Sequence, residues 1–211
     1  MNQVINREQM SMSLGTVLLI VLNTPRIFLH IICYICTKNR QIIKQDLLVR
    51  PAHRFLKPKL KDGLLLWPLC LSLVKEPEFR NVFYLRIGFL RHFLNLLLPK
   101  VTSMRLSRSI GPGFCPVHSY STIVNGATRI GQNCTILQNV TIGIGKGGVP
   151  TIGNNVNIGA GAIILGGITI GNNVRIGAGA IVVEDVPDNC TVICEKARII
   201  YKPGQTVSSI S

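Results

Sequence analysis

From residue 130 onward an aliphatic side chain returns at every sixth position, and nothing else in the chain narrows its fold as far. Ile130, Ile136 and Ile142 are spaced by six, and so are Ile152, Ile158, Ile164, Ile170, Ile176 and Val182. Gly usually follows the aliphatic residue, as at Gly131, Gly153, Gly159, Gly171 and Gly177, and a small or branched residue stands two positions before it, as at Val156, Ala162 and Val174. A period of six is neither the 3.6 of a helix nor the simple alternation of a strand. It fits a chain that makes a short strand and a corner in each hexad. The aliphatic residue then points into a narrow core, while Gly or Asn at the corner tolerates unusual backbone angles. Three hexads close a triangular coil, and successive coils stack about 4.8 Å apart as parallel strands. Residues 106–188 have room for four to five such coils. The regular Gly and Asn corners favour a closed solenoid over an open amyloid-like stack. The period breaks once: the step from Ile142 to Ile152 is ten, so residues 143–150 must include a loop extruded from the coil. Loops that leave a rigid scaffold are where binding residues concentrate.

The chain before residue 105 has a different character. The protein is 47% hydrophobic and 15% charged, which excludes wholesale disorder. Of its net charge of +14, residues 1–105 carry +11. Here long apolar runs alternate with Arg and Lys, and residues 41–49 and 78–98 show apolar side chains at helical spacing. Phe79, Val82, Phe83, Ile87, Leu90, Phe93, Leu94 and Leu97 fall mainly on one side of the second stretch, as expected of packing against another helix. Residues 14–36 approach the length of a membrane span, but Asn23-Thr24-Pro25-Arg26 interrupts them. The expectation is two short apolar helices flanking Pro25, either lying in a membrane interface or folded onto the protein. Lys38, Arg40, Lys44, Arg50 and Arg54 would favour an anionic inner leaflet. A cleaved leader fits poorly, since no small-x-small site follows the apolar run. The positive charge is dispersed among apolar segments without aromatic platforms, which argues against nucleic acid as the partner. The seven cysteines are odd in number and mostly set among aliphatic residues, as reduced thiols are, and Cys33-x-x-Cys36 lacks a second ligand pair for zinc. A reducing, cytoplasmic compartment follows. The expected organisation is a helical region over 1–105, a repeat domain over 106–200 and a tail over 201–211.

Val117-His118, the run Ile136-Leu137-Gln138-Asn139-Val140-Thr141-Ile142-Gly143, the two Ile-Gly-Ala-Gly-Ala coils starting at Ile158 and Ile176, and the Val186-Pro187 exit resemble the hexapeptide-repeat acyltransferases, within them the serine acetyltransferase branch. The resemblance covers residues 78–200. It implies a left-handed parallel β-helix, a homotrimer, and acetyl-CoA as donor in a cleft between neighbouring β-helices, with no metal. His118 matches the family's catalytic histidine and is the sole histidine of the repeat half. The chemistry needs such a group: an alcohol is a poor nucleophile at neutral pH, and an imidazole with a reference pKa near 6.5 can take its proton during attack on a thioester. Counting back by six from Val124 puts His118 in the inward register, but Ile110 does not share that count, so an irregular corner is expected between them.

For the donor, the resemblance assigns Ala160 and Ala178 to the CoA arm, and Arg198, Lys146 and, less directly, Lys202 to its phosphates. It sets Asn139, Gly147 and Gly148 beside the acceptor. The chain also departs from the family pattern. Val117 stands where serine acetyltransferases have Asp, Ser103 stands where a second Asp orients the imidazole, and the loop at 143–150 is shorter and lacks the family's Asp-Arg-His. The exit is altered as well, to Cys194-Glu195-Lys196-Ala197. A zwitterionic serine needs partners for both of its charges, whereas a neutral sugar hydroxyl does not. The expected activity is therefore acetyl-CoA-dependent O-acetylation of a saccharide in capsule or exopolysaccharide assembly. The alternatives are serine O-acetylation in cysteine biosynthesis and a non-catalytic β-helix scaffold.

Overall fold

A computed structural model describes residues 14–50, 65–100 and 103–195. Arg198, Lys202 and the tail lie outside the described residues. Five helices come first: α1 (Leu14–Cys36), α2 (Arg40–Leu48), α3 (Leu66–Lys75), α4 (Pro77–Ile87) and α5 (Arg91–Leu97). Helix α1 is continuous through Pro25, where two helices were expected. A proline inside a helix removes one backbone hydrogen bond. The two residues before it fold their polar side chains back onto the preceding turn, Asn23 Nδ2 donating to the Leu19 carbonyl at 2.8 Å and Thr24 Oγ1 to Ile20 at 3.1 Å. The stretch over 78–98, by contrast, is broken. Gly88 has φ +68°, a left-handed conformation that suits glycine, and a single 3₁₀ turn over Gly88–Leu90 redirects the chain into α5. The expected single apolar stripe divides accordingly: Phe79, Val82, Phe83 and Leu94 are buried, whereas Leu90 and Phe93 face solvent.

The second half is a left-handed parallel β-helix built from three sheets. One sheet stacks Ser109–Ile110, Arg129–Ile130, Thr151–Ile152 and Thr169–Ile170. The next stacks Cys115–Pro116, Thr135–Ile136, Asn157–Ile158, Arg175–Ile176 and Thr191–Val192. The third stacks Ile123–Val124, Thr141–Gly143, Ile163–Leu165 and Ile181–Val182. The recurring aliphatic residue of each hexad is buried, and the residue two before it (Val156, Ala162, Val174, Ala180) fills the corner beside it. The two corner residue types divide their labour. Asn133, Asn155, Asn173 and Asn189 carry the left-handed backbone, with φ between 56° and 62°. Their side chains form a ladder, Asn155 donating to Asn173 at 3.0 Å and Asn173 to Asn189 at 2.9 Å. The glycine after each aliphatic residue is needed for close approach instead: a Cβ at Gly131 would lie 2.5 Å from the Gly153 carbonyl oxygen, and one at Gly153 would lie 2.7 Å from that of Gly171.

The helices cap the open end of this stack. Arg86 of α4, nearly fully buried, donates to the Ile110 carbonyl at 2.6 Å and the Gly111 carbonyl at 2.7 Å, groups of the first described coil in its sheet. Its guanidinium also pairs with Asp46 of α2 at 2.8 Å, and Asp46 accepts the Phe114 N–H at 2.9 Å. Burial pushes the Asp46 carboxyl up from the ordinary carboxylate range, against the pull of Arg86 and of backbone N–H groups. Val82 of α4 closes the coil interior from above. A second buried contact ties α1 down: His30 Nε2 lies 2.8 Å from the Tyr84 hydroxyl, and His30 Nδ1 lies 2.8 Å from the Arg26 carbonyl.

Removing either partner of the Arg86–Asp46 pair strands a buried charge, so Arg86→Ala or Asp46→Ala is expected to cost about 3–5 kcal/mol in urea unfolding. Burial lowers the pKa of His30. The folded state therefore resists a proton that the unfolded chain accepts near pH 6.5, and stability falls as pH drops below that value. The urea midpoint is expected to decline from pH 7 toward pH 5, with a flatter profile in His30→Gln.

Candidate active site

At the edge where the second sheet turns into the third, the coils align residue by residue. The Leu137 N–H donates to the Ile158 carbonyl and the Gly159 N–H to Ile176; two positions on, the Gly161 N–H donates to Gln138 and the Gly179 N–H to Ala160. Gln138, Ala160 and Ala178 thus occupy one column. In the first coil the Val117 N–H donates to the Ile136 carbonyl, but it is Tyr120 whose carbonyl receives the Asn139 N–H. Tyr120 therefore takes the place equivalent to Gln138, and His118 and Ser119 are two extra residues. They make up the whole difference between a step of eight, from Pro116 to Val124, and the usual six.

This corrects the inward placement of His118. Pro116 continues the register of Ile110, and the irregular corner lies at the histidine, not before it. His118 is the apex of the bulge, with φ +46° and its carbonyl accepting the Tyr120 N–H at 2.8 Å. Its ring is exposed. Ser119 is fully buried, and its hydroxyl has no hydrogen-bond partner among the described residues. Ser103, two residues before the bridge between Arg105 and Ile123, stands exposed on the coil above the same edge.

Below the bulge the edge is hollow. Leu137, Asn157, Gly159, Arg175, Ala178 and Thr191 are among the residues lining an open groove of about 440 Å³. Its small residues are imposed by stacking as well as by any ligand, since a Cβ at Gly159 would lie 2.6 Å from the Ala178 nitrogen. Ala160 and Ala178 are thus on the same edge as His118. Asn139 is there too, but its left-handed backbone (φ 58°) makes it the turn residue equivalent to Gly161 and Gly179. Arg175, outward-facing just before Ile176, brings a cation into the groove that sequence inspection did not single out. The signal was present in the hexad: residues preceding the inward aliphatic face solvent.

Lys146, Gly147 and Gly148 lie at a different edge, between the third sheet and the first. Gly145 and Gly148 exchange backbone hydrogen bonds of 2.9 and 3.2 Å around a two-residue turn, with Gly147 in the left-handed region at φ +81°. The turn is stitched to the next coil by the Gly167 N–H, which donates to the Lys146 carbonyl at 2.9 Å. One chain by itself does not bring this loop to His118.

Residues 150–183 match the family described as bacterial transferase hexapeptide (six repeats). The chain is 36% identical to the serine acetyltransferase of Helicobacter pylori over 153 residues, 67% of this chain and 86% of that protein. It is 35% identical to the serine acetyltransferase of Synechococcus elongatus over 72% of this chain and 66% of the relative. It is 44% identical over 100 residues to an Escherichia coli protein named as a colanic acid biosynthesis acetyltransferase, WcaB, covering 46% of this chain and 61% of that one. The match thus spans less than two thirds of the latter two relatives. Among solved structures, serine acetyltransferase of Neisseria gonorrhoeae in complex with serine superimposes with a TM-score of 0.57 at 29% identity, over 76% of this chain and 68% of that one.

If His118 and Ser119 are purely inserted, deleting both restores a regular coil. The variant is expected to keep the far-ultraviolet circular dichroism and the cooperative melt of the parent. Loss of cooperativity would show that the bulge is part of the coil's own folding.

Proposed function

The chain belongs to the serine acetyltransferase branch of the hexapeptide-repeat acyltransferases, and on that premise we propose that it transfers an acetyl group from acetyl-CoA to a hydroxyl of a saccharide, with His118 as general base. The observation that carries this reading is the placement of His118: a solvent-accessible imidazole lifted off the coil by a two-residue bulge, on the edge that continues into the groove lined by Gly159 and Ala178. The pantetheine arm lies along Ala160 and Ala178, and Arg175, Lys146 and Arg198 are the cations for the CoA phosphates. His118 takes the proton from the acceptor hydroxyl as its oxygen attacks the thioester carbonyl. The new C–O bond forms, the C–S bond breaks, and His118 returns the proton to the departing sulfur, giving an acetyl ester and CoA. Positioning of the two substrates supplies further acceleration. In a homotrimer, the loop carrying Lys146, Gly147 and Gly148 faces a neighbour's His118 edge and completes the cleft, with Asn139 beside the acceptor. Acetyl-CoA as donor places the reaction in the cytoplasm.

The saccharide acceptor is supported by Val117 and Ser103, which offer no carboxylate near His118, by the short loop without Asp-Arg-His, and by the likeness to the protein named for colanic acid biosynthesis. Serine as acceptor is the second reading, favoured by the Helicobacter pylori relative, 86% of whose length is matched.

Purified protein supplied with acetyl-CoA and either L-serine or a panel of mono- and oligosaccharides distinguishes the two. CoA release with a sugar and not with serine is expected; release with serine alone would transfer the protein to the second reading. His118→Ala is expected to remain folded and to lose at least about 10²-fold in turnover. Unchanged turnover would remove the histidine from the mechanism.

A further inference from the structure

Helix α1 is apolar on the side turned away from the protein. Of its described side chains only Ile20, Ile27, His30 and Tyr34 are buried. Leu18, Val21, Leu22, Phe28, Ile32 and Ile35 are exposed, Leu22 to 68% and Phe28 to 59%. At the helical rotation per residue these six fall within an arc of about 140° opposite the buried stripe. A helix on the surface of a protein surrounded only by water shows the reverse pattern. Apolar side chains exposed contiguously in this way mark a surface that meets something else.

The charge around the face indicates what it meets. Among the described residues of the helical region there are eleven Lys and Arg and three acidic side chains. All three acids are engaged or enclosed: Asp46 is paired with Arg86, Glu76 with Arg50, and Glu78 is buried. Arg26, Lys38, Lys75 and Lys100 are exposed. The outward surface of the helical region is thus apolar and cationic, its described carboxylates being paired or buried. A second copy of the same surface would bring like charges together. An anionic lipid surface satisfies both properties at once.

We propose that the outward face of α1 is a docking surface for an anionic bilayer, the helix lying in the plane of the interface with Leu22, Phe28 and Ile32 inserted. Its other side stays on the protein, held by the contact of His30 with Tyr84, so the helix does not cross. The inference is independent of which hydroxyl is acetylated.

Flotation of the full chain with vesicles tests it. The protein is expected to float with phosphatidylglycerol/phosphatidylcholine vesicles and at least about tenfold less with phosphatidylcholine alone. Leu22→Glu/Phe28→Glu/Ile32→Glu should lose at least about tenfold in bound fraction with unchanged circular dichroism and oligomeric size. Lys38→Glu/Lys75→Glu, which leaves the apolar face intact, should lose the preference for anionic vesicles. Failure of the parent to float with anionic vesicles overturns the proposal, as does equal flotation of the triple-Glu variant. A triple-Glu variant that forms a smaller assembly than the parent also overturns it, assigning the face to a second copy of the chain.

Discussion

Each coil of the β-helix takes its backbone hydrogen bonds from the coils on either side, and this dependence shapes the rest of the molecule. A strand of two residues has no stability by itself. It persists because its N–H and C=O groups are paired in both directions and its aliphatic side chain is enclosed. Among the described residues, the first strands of the first and second sheets have no strand above them. Arg86 and Asp46 stand in for one with side-chain groups, two donors for the carbonyls of Ile110 and Gly111 and one acceptor for the Phe114 N–H. The helical region is therefore the terminal cap that a solenoid requires as well as an appendage to it.

The same dependence decides where irregularity is tolerated. An insertion inside a strand would shift every inward residue below it to the outside. An insertion at a corner leaves both flanking strands in register. Both additions to the coil obey this rule: His118 and Ser119 at one edge, the turn around Lys146 at another. Each is pinned by backbone hydrogen bonds, so the side chains it presents are held by rigid scaffold. The cost at the first is visible in Ser119, whose hydroxyl is buried without a partner among the described residues.

Much of this was legible in the sequence because stacking repeats the same physical demand every six residues. Inward positions must be aliphatic, the next residue must lack a Cβ where coils touch, and corners need a residue that accepts positive φ. The fold class, the extruded loop and the catalytic candidate follow from that pattern and from the resemblance it carries. The position of the bulge did not, because counting by six cannot tell where between Ile110 and Val124 the two extra residues fall; the hydrogen bonds of Val117 and Tyr120 decide it. Nor did the break at Gly88, since apolar spacing continues through it and only the backbone shows the change of direction. Pro25 misled in the opposite sense. Its single missing donor was outweighed by the helix-forming residues on both sides.

The placement of the few carboxylates links the cap to the surface. A buried ion pair such as Arg86–Asp46 contributes little net stability, because desolvation offsets most of the attraction. Its effect here is to fix one geometry, since the guanidinium satisfies two carbonyls only when Asp46 holds it in place. Using Asp46 in this way, and Glu76 in the pair with Arg50, withdraws negative charge from the exterior of a region that has almost none to spare. What solvent meets there is then set by lysine, arginine and the outward side of α1. Closing the β-helix from above and leaving a cationic, apolar surface on the helices are, in this chain, two consequences of the same allocation of charge.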